Sequence, residues 1–84
     1  MWFVYILECI DDTLYTGITN DLNKRIEKHN KGTGAKYTRG RGPVCLKWSY
    51  EAENKSEAAK MEYRIKKLSK SKKIDIINGE LKSF

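Results

Sequence analysis

The sequence predicts a small α+β domain, and three observations predict it. An apolar run rich in β-branched and aromatic residues, Trp2 to Cys9, is followed at once by a second strand-like run, Leu14 to Thr19. A stretch with clean alternation of apolar and polar residues stands alone at Val44 to Tyr50. Charged segments with apolar residues at helical spacing occupy Asp21 to Asn30 and Asn54 to about Ser69. Periods of two and of about 3.6 residues in one short chain mark strands and helices of a single fold.

A chain of 84 residues has room for one domain, which buries only about 60% of its unfolded surface. With 39% apolar residues, nine aromatics and one proline, the chain is too hydrophobic to be read as disordered. Residues 1–79 are expected to form the domain, and 80–84 a short tail that frays. The net charge of +6 is unevenly spread, with +8 lying beyond residue 30. Such a basic half suits a polyanionic partner, nucleic acid ahead of membrane; a solvated lysine surface accounts for the same charge. Cys9 and Cys45 have no CxxC partner and a single histidine for company, which excludes the usual zinc spacings. They read as buried free thiols of a reduced cytoplasm, one disulfide being the alternative. Trp2 to Leu7 is too short for a signal-peptide core, and nothing is long enough to span a membrane, so the expected location is cytoplasmic.

Asp11-Asp12 marks the turn of a hairpin between the first two strands. Its loop length decides which side chains share a face. A two-residue loop of Asp11 and Asp12 would put Tyr5 and Tyr15 on opposite faces. A three-residue loop, Asp11 to Thr13, or a bulge of the same parity, puts Tyr5, Leu7, Tyr15 and Gly17 on one face. Gly17 inside a strand marks either a close approach or a simple adjustment of twist.

The first helix is expected over Asp21 to Asn30, capped by Asn20 or Thr19 and ended by Gly32. Leu22 and Ile26 form its buried stripe. Arg25 and His29, four residues apart, share one side of the helix at the border of that stripe. Taken singly, His29 reads as a surface or boundary histidine and Arg25 as a partner for Asp21.

Lys31 to Pro43 is a loop by composition, and its glycine spacing excludes a Walker loop. Lys36, Tyr37, Arg39 and Arg41 could track a sugar-phosphate chain, or the segment could be a plain connector. In the third strand, Val44, Leu46, Trp48 and Tyr50 should face one way and Cys45, Lys47 and Ser49 the other. The second helix opens with Asn54 and Glu57 in a capping-box arrangement and buries Ala58, Met61, Ile65 and Leu68. Glu62 lies on the border of that stripe, where pairing with Lys66 one turn on would account for it. A basic run that includes Lys66 and Lys70 covers the helix end, part of which opposes the helix dipole. Ser71 is placed to cap a last short helix carrying Ile74 and Ile77.

These residues carry a resemblance. Phe3-Val4-Tyr5 stands where the first triplet of the GIY-YIG nuclease signature belongs, and Tyr15-Thr16-Gly17 where the second does. The run from Gly17 through Arg25 to His29 is similar to the family's helix, and Glu62 to the glutamate of its later helix. The stretch Gly34 to Val44 (GAKYTRGRGPV) is similar to the small stand-alone subgroup.

The resemblance implies a three-stranded antiparallel sheet flanked by helices and a shallow cleft for metal-dependent hydrolysis of phosphodiester bonds. In that family pattern Tyr5, Tyr15, Arg25 and His29 are the catalytic set, and Glu62 holds one Mg²⁺ or Mn²⁺ ion. Arg25 would bind charge on the phosphate, and Tyr5 would take a proton from the attacking water. A phenol, with an ordinary pKa of about 10, needs the arginine and the metal to lower it for that task. DNA is the expected partner ahead of RNA, with branched, damaged or single-stranded forms as the candidate substrates and DNA repair as the setting. Affinity would come from the basic loop and helix or from a partner protein, the chain being a monomer or weak dimer. The alternatives are a catalytically weak nucleic-acid-binding module on the same scaffold and an adaptor for an acidic protein.

Overall fold

The computed structural model describes residues 1–32 and 40–84. β1 (Trp2–Glu8) is the centre of a three-stranded antiparallel sheet of order β2-β1-β3, with β2 at Leu14–Thr19 and β3 at Cys45–Ala52. Its central place accounts for its lack of polar residues: Val4, Tyr5, Ile6 and Leu7 are all fully buried, alternate ones on opposite faces. Three helices complete the fold, α1 (Leu22–Asn30), α2 (Lys55–Lys66) and α3 (Lys70–Ile77).

The sheet separates two apolar clusters. Val4 and Ile6 pack with Ala52 of β3, Ala58 and Ile65 of α2 and Ile76 of α3. On the opposite face Tyr5 and Leu7 pack with Cys9 and Val44, flanked by Tyr15 and by Leu22 and Ile26 of α1. Tyr5 is therefore a core residue of the α1 side as well as a candidate reactive group.

The hairpin closes where the N–H of Cys9 donates to the carbonyl of Thr13 at 2.8 Å, leaving Ile10, Asp11 and Asp12 as the loop. This is one position earlier than the expected Asp11 to Thr13. Asp12 takes the left-handed conformation at φ 66°, which an aspartate tolerates better than most residues. Because the loop keeps an odd length, the face assignment is the expected one: Tyr5 pairs with Gly17 and Leu7 with Tyr15.

In β3 the expected alternation is broken. Ile6 pairs with Trp48 but Leu7 pairs with Leu46, so Lys47 is the extra residue of a bulge. Cross-strand partners share a face. Trp48 and Tyr50 therefore follow Ile6 and Val4, while Leu46 follows Leu7, and Val44 joins the Tyr5 cluster. Lys47 also pairs with Glu8 across the strands at 3.7 Å, and a bulge with a lysine blunts an exposed edge against pairing with other chains.

Two of the three helix N-caps differ from expectation by one or two residues. Asp21, not Asn20 or Thr19, caps α1, its side chain accepting from the N–H of Lys24 at 3.1 Å. Asn54 caps α2 as expected, accepting from the N–H of Glu57 at 2.9 Å. α2 ends at Lys66, and Ser69, not Ser71, caps α3 by accepting from the N–H of Lys72 at 3.3 Å. The terminal segment has contacts with the core. Leu81 and Phe84 pack against the α2–α3 cluster, and the Phe84 ring meets that of Trp48 edge-on with centroids 6.0 Å apart. Both cysteines are free; Cys9 is buried as expected, whereas Cys45 is exposed.

Candidate active site

The hairpin register brings the two tyrosines together. Their ring centroids lie 6.3 Å apart on the α1 side of the sheet. Gly17, opposite Tyr5, makes room for the phenol: a Cβ there would stand 2.5 Å from Tyr5 Oη, 2.7 Å from Cζ and 3.1 Å from Tyr15 Cε2. Of the two readings of this glycine, close approach is the one realised; the sheet's bulge lies in β3.

α1 supplies the other two groups. His29 is 1% exposed, so the boundary position expected for it is wrong in degree: it is the buried residue of the helix. Its Nε2 lies 3.0 Å from Tyr5 Oη, and its ring centroid lies 5.9 Å from that of Tyr5 and 5.2 Å from that of Tyr15. Arg25, one turn back, donates from Nε to Tyr5 Oη at 3.4 Å. Asp21 is engaged as the helix cap, so the sequence pairing of Arg25 with Asp21 gives way to one with the phenol.

Burial and the two neighbours set the protonation states. Desolvation by burial, reinforced by the positive charge of Arg25, pushes His29 down to about 4, so the imidazole is neutral near pH 7. Tyr5 is raised above the ordinary phenol value. Burial is the main cause, with lesser contributions from Tyr15 and from the negative charge of Glu62, against an opposing pull from Arg25. Arg25 alone therefore does not produce the lowered phenol expected from sequence. The guanidinium is raised, chiefly by its hydrogen bond to Tyr5 and also by Tyr15, and stays charged at any working pH.

Glu62 comes from α2. Its side chain is 22% exposed, and Lys66 Nζ stands 3.3 Å from its Oε2, so the expected pairing one turn apart is present. The same lysine lies 6.0 Å from the centroid of the Tyr15 ring. Tyr15 belongs to the α1 side and α2 packs on the other, so the two sets of residues meet past β2, the edge strand. The acid thus borders the tyrosine cluster as well as pairing with Lys66.

Among the described residues no group of three His, Cys, Asp or Glu side chains is placed to hold a metal ion. Glu62, a single carboxylate 22% exposed, is nonetheless a donor that suits Mg²⁺. That ion commonly takes one or two carboxylates and completes its shell with water and substrate phosphate.

The basic residues divide. Lys36, Tyr37 and Arg39 lie outside the described residues. Arg41 is tied to the hairpin loop: Nη1 donates to Asp11 Oδ2 at 2.7 Å, and its carbonyl accepts from the N–H of Ile10 at 2.9 Å. Lys66 is at the end of α2. Lys70, with Lys72 and Lys73, lies in the first turn of α3, which contains no acidic residue. That is the positive end of the helix dipole, so the dipole-opposing reading of the run fails for these three. Lys73 is held below the ordinary lysine value by burial and by nearby Lys66, which places the end of α2 and the start of α3 in one positive cluster.

A family model described as the GIY-YIG catalytic domain matches residues 1–75, and the chain belongs to the GIY-YIG family. Within it, the chain is 56% identical over 80 residues to the UPF0213 protein CPE1444 of Clostridium perfringens, covering 95% of this chain and 86% of that protein. It is 53% identical over 73 residues to a UPF0213 protein of Halobacterium salinarum, covering 87% and 95%. Two solution NMR structures share the fold. The UPF0213 protein BH0048 from Bacillus halodurans matches with a TM-score of 0.60 at 49% identity over 93% of this chain and 84% of that one. Protein EF2693 from E. faecalis matches with a TM-score of 0.61 at 38% identity over 98% and 88%.

Proposed function

We propose that this protein is a metal-dependent endonuclease that hydrolyses phosphodiester bonds in DNA. The observation that carries the reading is the position of the Tyr5 hydroxyl, between Arg25 Nε at 3.4 Å and His29 Nε2 at 3.0 Å. An arginine Nε only donates. With its oxygen accepting from Arg25, the phenol is free to donate its own proton to the lone pair of neutral His29.

That arrangement answers the difficulty posed by a raised phenol. Tyr5 need not rest as a phenolate: it takes a proton from the attacking water as it passes its own to His29. The negative charge of an arriving phosphodiester favours the imidazolium that results. Arg25 stays cationic and steadies the charge that grows on the non-bridging oxygens. Tyr15 packs against both the Tyr5 and His29 rings and fixes their orientation. Glu62 is the residue that would hold the Mg²⁺ or Mn²⁺ ion, which when bound supplies charge neutralisation for the phosphate and its leaving oxygen.

The positive cluster of Lys66, Lys70 and Lys73 supports a polyanionic substrate. Positive charges in the first turn of α3 are unfavourable for the helix, and a phosphate chain laid across them would reverse that sign. Arg41, 38% exposed at its side chain, can add to this surface only while keeping its bond to Asp11.

Nicking of supercoiled plasmid with and without Mn²⁺, wild type beside Glu62→Ala and Arg25→Ala, tests the proposal. Metal-dependent nicking that both substitutions abolish while DNA binding persists is the expected result. Salt-sensitive DNA binding by a wild type that never cuts would replace the nuclease reading with that of a binding module.

A further inference from the structure

Tyr63 has no part in the site described above, yet it stands next to Glu62 on α2 with 57% of its surface exposed. The apolar stripe of α2 runs through Ala58, Met61 and Ile65. At about 100° per residue, Tyr63 falls on the opposite side of the helix. An aromatic ring in that position adds nothing to the core. Lys67 Nζ lies over it, 4.2 Å from the centroid, and covers one face.

The neighbouring row of the same helix repeats the pairing. Lys66 bonds Glu62 at 3.3 Å and lies 6.0 Å from the centroid of the Tyr15 ring. From the cleft outward, the surface therefore runs Tyr15, Lys66, Tyr63, Lys67, alternating π-faces with cations. A single strand of nucleic acid alternates in the same way, with flat bases between phosphates. Proteins that bind such strands combine aromatic platforms with positive tracks. A base paired and stacked within a continuous duplex has no face to offer a protruding tyrosine.

We propose that Tyr63 is a stacking platform for one unpaired base beside the cleft, with Lys66 and Lys67 on the flanking phosphates. The inference deepens the nuclease reading by assigning Tyr63 as a residue that holds substrate beside the cleft, and the stacking is tested without any cleavage.

The test measures binding of a fluorescently labelled single-stranded oligodeoxynucleotide and of a blunt duplex of equal length by anisotropy in EDTA. Wild type, Tyr63→Phe and Tyr63→Ala are compared. Tyr63→Ala is expected to weaken single-strand binding by about 5- to 150-fold and duplex binding by no more than about twofold. Tyr63→Phe should bind as wild type does, because stacking needs the ring and not the hydroxyl. Equal losses on both ligands, no loss on either, or a Phe variant as weak as Ala would overturn the proposal and leave Tyr63 with Lys67 as a surface pair of the helix. A wild type that shows the Tyr63-dependent preference in EDTA but never nicks with Mn²⁺ would sink the nuclease reading alone.

Discussion

Gly17 lies directly across the hairpin from Tyr5, and any side chain there would occupy the space of the phenol, 2.5 Å from its oxygen. The glycine is what lets a buried tyrosine lie flat along its neighbouring strand with its hydroxyl reaching α1. Gly17→Ala should therefore act on chemistry more than on fold. Overpacking of this kind costs about 1–3 kcal/mol, while displacing a reactive group by an ångström can cost about 100-fold in rate. Urea denaturation and plasmid nicking on the same preparation check this. A variant that nicks at the wild-type rate would show that the Tyr5 position does not matter to the reaction.

Tyr5→Phe separates packing from proton transfer, since the ring stays and only the hydroxyl between Arg25 and His29 goes. Loss of a positioned acid–base group typically costs about 10²- to 10⁴-fold, and nicking should fall by that order. Loss of the buried hydrogen bond between Tyr5 Oη and His29 Nε2 adds a stability loss of about 1 kcal/mol. DNA affinity should hold, because the guanidinium and the lysines remain. A Phe variant that cuts as well as wild type would remove the phenol from the mechanism.

Much of this arrangement was legible in the sequence, and the misses have physical causes. The alternation of β1 and the parity of the hairpin loop placed Tyr5, Tyr15 and Gly17 on one face even though the loop begins one residue earlier than expected. Helical spacing paired Arg25 with His29 but could not show the histidine buried at 1% exposure, since its burial comes from β1 across the core and not from α1. The bulge at Lys47 could not be read because β3 alternates cleanly; only pairing with β1 shows that one residue is extra. Nothing in the run of lysines marks the break between α2 and α3 after Lys66, so lysines that by spacing favour a helix end sit at a helix start.

Lys66 and the metal should compete for Glu62. The ammonium is 3.3 Å from the carboxylate oxygen, and a cation there opposes a second one. Removing metal with EDTA should abolish nicking, and Glu62→Gln should not be rescued by added Mn²⁺. Lys66→Ala should lower the Mn²⁺ concentration for half-maximal nicking by a few-fold, the order expected for a partly exposed pair worth up to about 1 kcal/mol. It should also weaken DNA binding at low salt. An unchanged Mn²⁺ requirement would mean that Glu62 is not where the ion sits.

His29 ties stability to pH. Its folded value of about 4 lies below the 6.5 of an exposed imidazole, mainly through burial and then through Arg25. Between those values the unfolded chain binds the extra proton, so the contribution is complete above about pH 6.5 and is lost as pH falls toward 4. The loss is on the order of 2–4 kcal/mol. Urea midpoints from pH 7 to pH 4, wild type against His29→Gln, isolate this group from the carboxylates that titrate in the lower part of the range. Parallel curves for the two proteins would show that the imidazole is not held neutral.

Lys70 offers a test in which stability and binding move in opposite directions. It is exposed at the first position of α3, behind the Ser69 cap, where the helix dipole favours a negative charge. Lys70→Glu should stabilise the fold by about 0.3–1 kcal/mol, read as a higher urea midpoint. If the cluster with Lys66 and Lys73 meets phosphate, the same substitution should weaken DNA binding and reduce the slope of log K against log salt by about one unit. A more stable protein whose DNA affinity and salt slope are unchanged would take the start of α3 off the nucleic-acid surface. It would leave the substrate to the α1 side and the 33–39 segment.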